Sequence, residues 1–143
     1  MHQAAHRMRQ SKNKKLAKAK ADKYFSEYIR LRDADTNGYA TCCTCGKRDH
    51  WRQMDAGHFI TRDRMATRYH EQNCHAQCRL CNRFQGGHQY KHAKHIEDMY
   101  GREVPENILG LSQQAKIYRQ ADYEHYAKRY REAAADIRSC KGL

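Results

Sequence analysis

The sequence has little from which to build a large apolar core. It contains one proline, one tryptophan and three phenylalanines. Leucine, isoleucine and valine are scarce, and alanine, tyrosine and cysteine supply much of the 39% hydrophobic fraction. The 143 residues fit one domain. With this composition the domain needs a further source of folding free energy, which in small proteins is commonly a structural metal ion.

Long apolar runs are also missing. No stretch approaches the roughly 18 consecutive apolar residues of a membrane-spanning helix. Residues 1–20 are polar and lack the apolar segment of a signal peptide. We therefore expect a protein of the reducing cytoplasm with no membrane partner. In that compartment, paired cysteines indicate metal ligands before disulfides.

Negative charge is scarce relative to positive charge. The chain has 28 lysines and arginines against 16 acidic residues, a formal net charge of +12. This excess favours a polyanionic partner, because cations that contact phosphates release bound counterions. An anionic membrane surface is the alternative, but the basic segments lack a sustained apolar face.

The basic residues begin at the N-terminus. Seven lysines and arginines precede the first acidic residue, Asp22. Residues 1–20 are therefore predicted to be a basic arm, flexible until it meets its partner, or alternatively a solvated tail with no binding role. The candidate phosphate-binding residues of this arm are Lys12, Lys14, Lys15 and Lys18.

Apolar periodicity and turn residues predict several short elements and an α+β fold. A helix is expected from residue 16 to residue 32, and short strands and loops over residues 39–81. Further helices are expected near residues 78–84, stopped by Gly86-Gly87, and over residues 90–100, ended by Gly101. The Val104-Pro105 pair opens a short helix. The last helix is expected over residues 114–138, with an apolar stripe that serves either packing or dimerisation.

Four of the seven cysteines form two Cys-x-x-Cys pairs. Cys42 and Cys45 make the first pair, and Cys78 and Cys81 make the second. Each spacing lets both sulfurs reach one ion, and two such pairs complete the tetrahedral set that structural Zn²⁺ prefers. A redox pair is the alternative for one Cys-x-x-Cys but fits two pairs less well.

Three cysteines remain outside these pairs. Cys43 or Cys74 could replace a neighbour in the zinc site, and Cys140 is expected to be a free thiol.

Polar residues of a second kind cluster around the cysteine pairs. Asp55 and His58 lie between the pairs, Asn73 and His75 come just before the second pair, and Asn82 follows it directly. A module that only binds zinc needs none of them. The order His58, Asn73, Cys-x-x-Cys, Asn82 resembles the HNH, or ββα-metal, nuclease motif.

A closer resemblance is to the NinG family of lambdoid phages, also called Rap. The matching segments, at residues 29–33, 42–46, 55–59, 68–69 and 73–82, resemble that family's pattern. The resemblance covers about residues 24–101. It implies a small zinc-stapled ββα-metal core with flanking helices. It also implies a recombination endonuclease that cuts branched DNA, such as Holliday junctions and D-loops, inside the bacterial host.

The resemblance divides the chain into three parts: the arm (1–20), a zinc-bound nuclease core with its leading helix (21–101) and a C-terminal helical extension (102–143). It differs from many HNH enzymes at two positions. Those enzymes have a metal-binding aspartate or histidine directly before the catalytic histidine, where this chain has Gly57. Either Asp55 takes that role or the ligand lies elsewhere. After the second cysteine pair this chain has Asn82, a weaker ligand, in place of a histidine.

The expected chemistry is metal-dependent phosphodiester hydrolysis. His58 acts as the general base, because its ordinary pKa lies near neutrality. Mg²⁺ or Mn²⁺ would be held by Asp55, Asn82 and, as an additional ligand, His75. Asn73 orients either its loop or the His58 imidazole. The phosphates that flank the cut would be held by Arg62, Arg64 and Arg68.

Two alternatives remain at this stage. One is a non-catalytic zinc protein that binds DNA or assists recombination, and the other is a sequence-specific nuclease of the restriction type. Symmetric cleavage of a four-way junction needs two active sites, so a homodimer is expected, with the C-terminal helix as its candidate interface. A recombinase is an additional expected partner.

Overall fold

The longest element of the fold is its first helix. In the computed structural model, which describes residues 1–143, α1 spans His2–Arg32. The helix contains no glycine or proline and is rich in alanine, lysine and arginine, which have high helix propensity. It begins well before the predicted start at residue 16, because the arm forms a helix without the apolar stripe on which that prediction depended. All residues up to Leu16 are exposed, so this part projects from the molecule.

The two β-hairpins carry the residues of interest. Strands β1 (Tyr39–Thr41) and β2 (Arg48–His50) pair antiparallel, and strands β3 (Met54–His58) and β4 (Cys74–Cys78) form a second antiparallel sheet. In the second sheet Asp55 lies opposite Gln77 and His58 lies opposite Cys74. The short strands predicted within residues 39–81 are therefore confirmed.

The segment after β4 is a single helical turn. Leu80–Phe84 form one turn of π-helix instead of the longer helix expected near residues 78–84. Gly86 and Gly87 end this turn as predicted, with φ angles of 60° and 76° that side-chain-bearing residues rarely adopt. One helical turn thus follows the β3–β4 hairpin.

The next two helices agree with the sequence. Helix α2 spans Gln89–Tyr100 and ends at Gly101, whose φ of 126° stops the helix. Helix α3 spans Val104–Ser112 and has Pro105 in its first turn. The helices predicted at residues 90–100 and from Val104 are confirmed.

The last helix lies beside the first. Helix α4 spans Gln120–Lys141. The ring of Tyr130 packs edge-to-face on Phe25 with centroids 4.9 Å apart. Lys141 donates to the backbone carbonyl oxygens of residues 31, 32 and 34. The C-terminal ends of α1 and α4 therefore lie together, and the helices run parallel.

Two details of α4 bear on the sequence analysis. The helix begins at Gln120 and not at residue 114, because the Asp122 carboxylate accepts the Arg119 backbone N–H at 2.7 Å and caps the first turn there. The buried residues of α4 are Tyr123, Ala127, Tyr130 and Ala134, so Tyr130 and Ala134 of the predicted stripe pack within the chain, whereas Ile117, which lies before the helix, is exposed. Packing is therefore the role of the buried face, and a homodimer interface on another face of α4 stays a prediction.

The core is small and is divided in two. One cluster joins α1 to α4 and consists largely of aromatic rings, among them Phe25, Tyr69 and Tyr130. The other surrounds the paired cysteines and includes Leu31, Trp51 and Met54. The α+β fold class with flanking helices is confirmed. None of the helices has the length and apolar character needed to cross a membrane.

Candidate active site and metal centre

Four cysteines converge at one end of the two hairpins. The sulfur atoms of Cys42, Cys45, Cys78 and Cys81 all lie within 4.8 Å of one another. Three of these residues are buried and Cys45 is exposed. Burial opposes the thiolate of Cys42, but hydrogen bonds from the backbone and Thr44 lower its pKa to about 6. The cluster can therefore bind a structural metal ion such as zinc.

The remaining cysteines lie outside this cluster. Cys74 is buried beside His58, with its Sγ 3.6 Å from the imidazole Nδ1. Burial raises the pKa of the Cys43 thiol and that of the Cys74 thiol, so both carry a proton at neutral pH. Cys140 is exposed near the end of α4, as expected. The exchange of Cys43 or Cys74 for a paired cysteine is not supported by this geometry.

A polar pocket of about 530 Å³ opens between α1, β3 and the turn after β4. Its walls include most of the side chains that the sequence indicated, together with the backbone of the glycine pair. The lining residues discussed below are Asp22, Asp55, His58, Arg62, Arg68, Asn82, Arg83, Gly86 and Gly87. The pocket thus joins residues that are up to 65 positions apart in the sequence, Asp22 and Gly87.

His58 ends β3 and faces this pocket. Its Nε2 lies 2.9 Å from the backbone carbonyl oxygen of Arg68, a group that can only accept. The imidazole therefore carries its proton on Nε2 when it is neutral, and Nδ1 keeps a free lone pair. Burial lowers the pKa of His58 to about 4, the Arg68 carbonyl opposes this, and the charge of Arg62 adds to the lowering. At pH 7 the side chain is neutral and can accept a proton.

Asp55 and Asn82 also line the pocket and contact each other. Asn82 Nδ2 donates to Asp55 Oδ2 at 2.9 Å, and Arg83 donates to both carboxylate oxygens at 2.8 and 2.9 Å. Burial opposes ionisation, but Arg83 and Asn82 lower the pKa of Asp55, so it is a carboxylate at neutral pH. Asp55 and Asn82 offer the hard oxygen donors that Mg²⁺ and Mn²⁺ prefer, and magnesium sites typically use one or two carboxylates plus water and substrate phosphate. The donor set therefore fits such an ion, provided that Arg83 moves away from Asp55.

Asn73 is completely buried and holds the loop that follows β3. Its Oδ1 accepts the Ile60 backbone N–H at 2.8 Å, and its Nδ2 donates to the carbonyl oxygens of Ile60 and Thr67. It makes no hydrogen bond to His58. Of the two roles expected for Asn73, the geometry fits the orientation of the loop and not of the imidazole.

The three arginines of this loop differ in their surroundings. Arg62 and Arg64 are exposed, and Arg62 lines the pocket. Arg68 is 7% exposed and donates to both oxygens of Asp22 at 2.8 and 2.6 Å. Arg68 is thus bound within the chain and is not free to clamp a phosphate. The sequence analysis had expected it to do so. Arg62 remains in position for that role.

Asp22 is a pocket residue that the sequence analysis missed. Besides the two bonds from Arg68, it accepts a hydrogen bond from the Tyr69 hydroxyl at 2.8 Å. Burial opposes its ionisation, but these donors lower its pKa. The available signal was its position three residues before Phe25, on the buried side of the first helix. Arg83 was also missed, and its position after Asn82 was the only indication.

His75 lies outside the pocket. It is 1% exposed, and its Nδ1 contacts His92 Nε2 at 3.1 Å while its Nε2 contacts the Tyr100 hydroxyl at 3.0 Å. Both neighbours belong to α2, so His75 is enclosed by that helix and is not among the residues that line the pocket. The expectation that His75 is an additional catalytic metal ligand is therefore not supported. His92 is fully buried on the inner face of α2.

The structure also explains why a glycine precedes His58. A Cβ atom at Gly57 would overlap the Gln77 side chain. Gln77 Nε2 donates to Thr44 Oγ1 at 2.9 Å and to the Gly87 carbonyl oxygen at 2.8 Å. Gln77 therefore connects the cysteine cluster to the rim of the pocket, and Gly57 leaves room for it.

The predicted phosphate-binding lysines lie on the projecting part of α1. Lys12, Lys14 and Lys15 are exposed and Lys18 is half-buried. None of them forms an ion pair, whereas Asp55 and Asp22 are both paired with arginines. Their charges are thus available to a partner in solution.

Comparison with known proteins gives one match. A protein-family model described as NinG, Bacteriophage Lambda NinG protein, matches residues 1–141. No curated protein and no solved structure matches the chain.

Proposed function

The chain belongs to the NinG family, and from this membership and the geometry of the pocket we propose that it is a metal-dependent HNH-type endonuclease of branched DNA. The observation that carries the proposal is the meeting of neutral His58, Asp55 and Asn82 in one cationic pocket. Phosphodiester hydrolysis needs a base for the attacking water, hard ligands for a divalent ion and cations for the phosphate.

His58 is the proposed general base. Because Nε2 donates to the Arg68 carbonyl oxygen, Nδ1 takes the proton of a water molecule that approaches the phosphate. The hydrogen-bonding neighbour of Nδ1 is the Cys74 thiol, a weak donor that a water molecule can replace. A phosphate in the pocket adds negative charge, which raises the pKa of His58 from its low value and strengthens the base.

Asp55 and Asn82 are the proposed ligands of the catalytic ion, Mg²⁺ or Mn²⁺. When bound, such an ion stabilises negative charge on the phosphate and on the leaving oxygen. Asp55 provides a carboxylate that is already ionised, and Asn82 provides a carbonyl oxygen after rotation of its amide. Arg83, which is 54% exposed, leaves Asp55 and turns to the phosphate. Arg62 neutralises a neighbouring phosphate.

Zn²⁺ held by Cys42, Cys45, Cys78 and Cys81 is the proposed structural ion. The two pairs come from the two hairpins, so one ion fixes the hairpins relative to each other. Through Gln77 it also fixes the Gly87 rim of the pocket. This cross-link replaces the apolar core that the sequence cannot supply.

The rival is a zinc protein that binds DNA without cutting it. Such a protein needs the lysines of α1 and the cysteine cluster. It does not need a neutral histidine that lines the same pocket as a carboxylate and an amide. The buried network around Asp22 and Asn73, which shapes that pocket, favours the enzyme.

The proposed setting is phage recombination in the host cytoplasm. A junction cut symmetrically requires two active sites, and we propose a homodimer whose interface lies outside the buried stripe of α4. A recombinase that supplies the branched DNA is the proposed second partner.

Purified protein and end-labelled DNA test the activity. The substrates are a four-way junction, a D-loop, single strands and a duplex, each with Mg²⁺, with Mn²⁺ and with chelator. We expect cuts near the branch points that depend on the ion. Binding of the junction without cleavage under either ion would favour the non-catalytic protein.

A further inference from the structure

The turn after the second cysteine pair exposes two apolar side chains. Phe84 is 77% exposed and Leu80, four residues earlier in the same turn, is 59% exposed. Of the other side chains of this turn, Cys81 belongs to the cysteine cluster, and Asn82 and Arg83 contact Asp55. An exposed phenylalanine contributes nothing to this core, although the chain has few apolar residues to spare.

Phe84 stands at the rim of the pocket. The residue before it, Arg83, donates to both oxygens of Asp55. Gly86 and Gly87, two and three positions after Phe84, line the pocket. A Cβ atom at either glycine would meet nothing within 4 Å, so the pocket rim is open at these two glycines, close to Phe84 in the sequence.

The charge around Phe84 identifies the kind of partner. Arg83 precedes it directly, and Arg79, also exposed, precedes Leu80. Alternation of arginines with an exposed ring is typical of surfaces that bind single-stranded nucleic acid, where cations contact the backbone and rings stack on bases.

We propose that Phe84 stacks on an unpaired base next to the phosphate held in the pocket. The ring increases the affinity for DNA whose bases are unpaired or splayed near the cut. Continuous duplex offers it no such base, so its affinity is not increased. This inference rests on the proposed function and specifies its substrate class: DNA with an unpaired or separable nucleotide at the branch point.

Fluorescence of 2-aminopurine tests the stack without any cleavage. The base analogue is placed at the unpaired position of a flapped or branched DNA, with the same strand in a duplex as reference, and divalent ions are left out. The parent protein is expected to quench the branched DNA. Phe84→Ala should lose the quench and bind that DNA about 5- to 100-fold more weakly, the range of one base–aromatic stack. Its affinity for duplex should change little.

Three further variants separate stacking from other effects. Phe84→Trp should retain the quench, whereas Phe84→Leu, which keeps apolar bulk, should lose it. Tyr39→Ala removes an exposed ring that does not line the pocket and should behave as the parent. Circular dichroism and zinc content verify that each variant is folded.

The outcomes separate this inference from the proposed function. If the parent protein quenches the fluorescence but never cuts, the stacking of Phe84 is supported and the proposed nuclease activity is contradicted. If the parent protein cuts branched DNA and Phe84→Ala cuts, binds and discriminates equally well, the nuclease activity is supported. The stacking of Phe84 is then contradicted. Equal binding by Phe84→Leu and Phe84→Trp also overturns it.

Discussion

The Nε2 atom of His58 lies 2.9 Å from the backbone carbonyl oxygen of Arg68. This bond fixes the tautomer of the imidazole and leaves Nδ1 as the proton acceptor. The carbonyl is itself held in place, because the Arg68 side chain pairs with Asp22 on α1. The orientation of the proposed base therefore depends on the packing of the first helix against the hairpin loop.

Loss of one paired cysteine should unfold the protein. Cys78→Ser leaves three sulfur ligands, and the small core cannot replace the free energy that the proposed zinc supplies. We expect aggregation or loss of the circular dichroism signal, and one zinc per chain in the parent by metal analysis. The matched control, Cys140→Ser, changes an exposed cysteine outside the cluster and should remain folded. A folded, zinc-free Cys78→Ser protein would contradict the assignment.

Neutralisation of the arm should weaken DNA binding in a salt-dependent way. Lys12, Lys14 and Lys15 are exposed and free of ion pairs, so after their change to glutamine the arm neutralises up to three fewer phosphates. The slope of log affinity against log salt should fall by about 0.9 for each phosphate that is no longer neutralised on duplex DNA. The control removes the same charge from exposed Lys47, Lys116 and Lys128. Equal slopes in the two triple variants would show that the arm is only solvated.

Replacement of Arg83 should have opposite effects on metal and DNA. Arg83→Ala frees both oxygens of Asp55, so Mn²⁺ should bind the DNA-free protein about two- to five-fold more tightly, as expected for an exposed ion pair. Affinity for DNA should fall, because alanine cannot neutralise the phosphate. Calorimetry measures the first effect and fluorescence anisotropy the second. Arg102→Ala, at an exposed position outside the pocket, is the control. Unchanged Mn²⁺ affinity would show that Asp55 is not a ligand.

Acid should destabilise the fold below about pH 6.5. Burial lowers the pKa of His58 to about 4, of His75 to about 2 and of His92 to about 3. An unfolded histidine titrates near 6.5, so below that pH the unfolded chain binds more protons than the folded one. The stabilisation is complete above pH 6.5 and declines as the pH falls toward 4. Each histidine contributes up to about 1.4 kcal/mol per pH unit.

Urea unfolding at several pH values measures this decline in stability. His92→Gln should reduce the slope of unfolding free energy on pH, whereas His125→Gln, at an exposed position of α4, should leave it unchanged. A flat profile between pH 6.5 and 4.5 in the parent protein would contradict the buried neutral state.

The parts of the site that depend on local spacing were predictable from the sequence. Two Cys-x-x-Cys pairs must each place their sulfurs close together, and both pairs do join in one cluster. The order of His58, Asn73 and Asn82 also indicated a pocket, although only His58 and Asn82 line it while Asn73 holds its loop. Helix α2 followed from periodicity and from Gly101, which ends it, and α3 followed from the Val104-Pro105 pair, which opens it.

The parts that depend on long-range packing were not predictable. Asp22 reaches the pocket only because α1 packs against the β3 loop, 46 residues further along the chain at Arg68. His75 lies outside the pocket because helix α2, which is distant in the sequence, packs on it: its ring contacts His92 and Tyr100 and is 1% exposed. The exclusion of Arg68 from phosphate binding follows from the same contact with Asp22.

Cleavage of a labelled four-way junction by His58→Ala is the most direct test of the proposed mechanism. Loss of a general base typically lowers the rate about 10²- to 10⁴-fold, while junction affinity should stay close to that of the parent, because phosphate contacts dominate it. His125→Ala, which changes an exposed histidine of α4, provides the matched control and should cut at the parental rate. Cleavage by folded His58→Ala at the parental rate would contradict the assignment of His58 as the base.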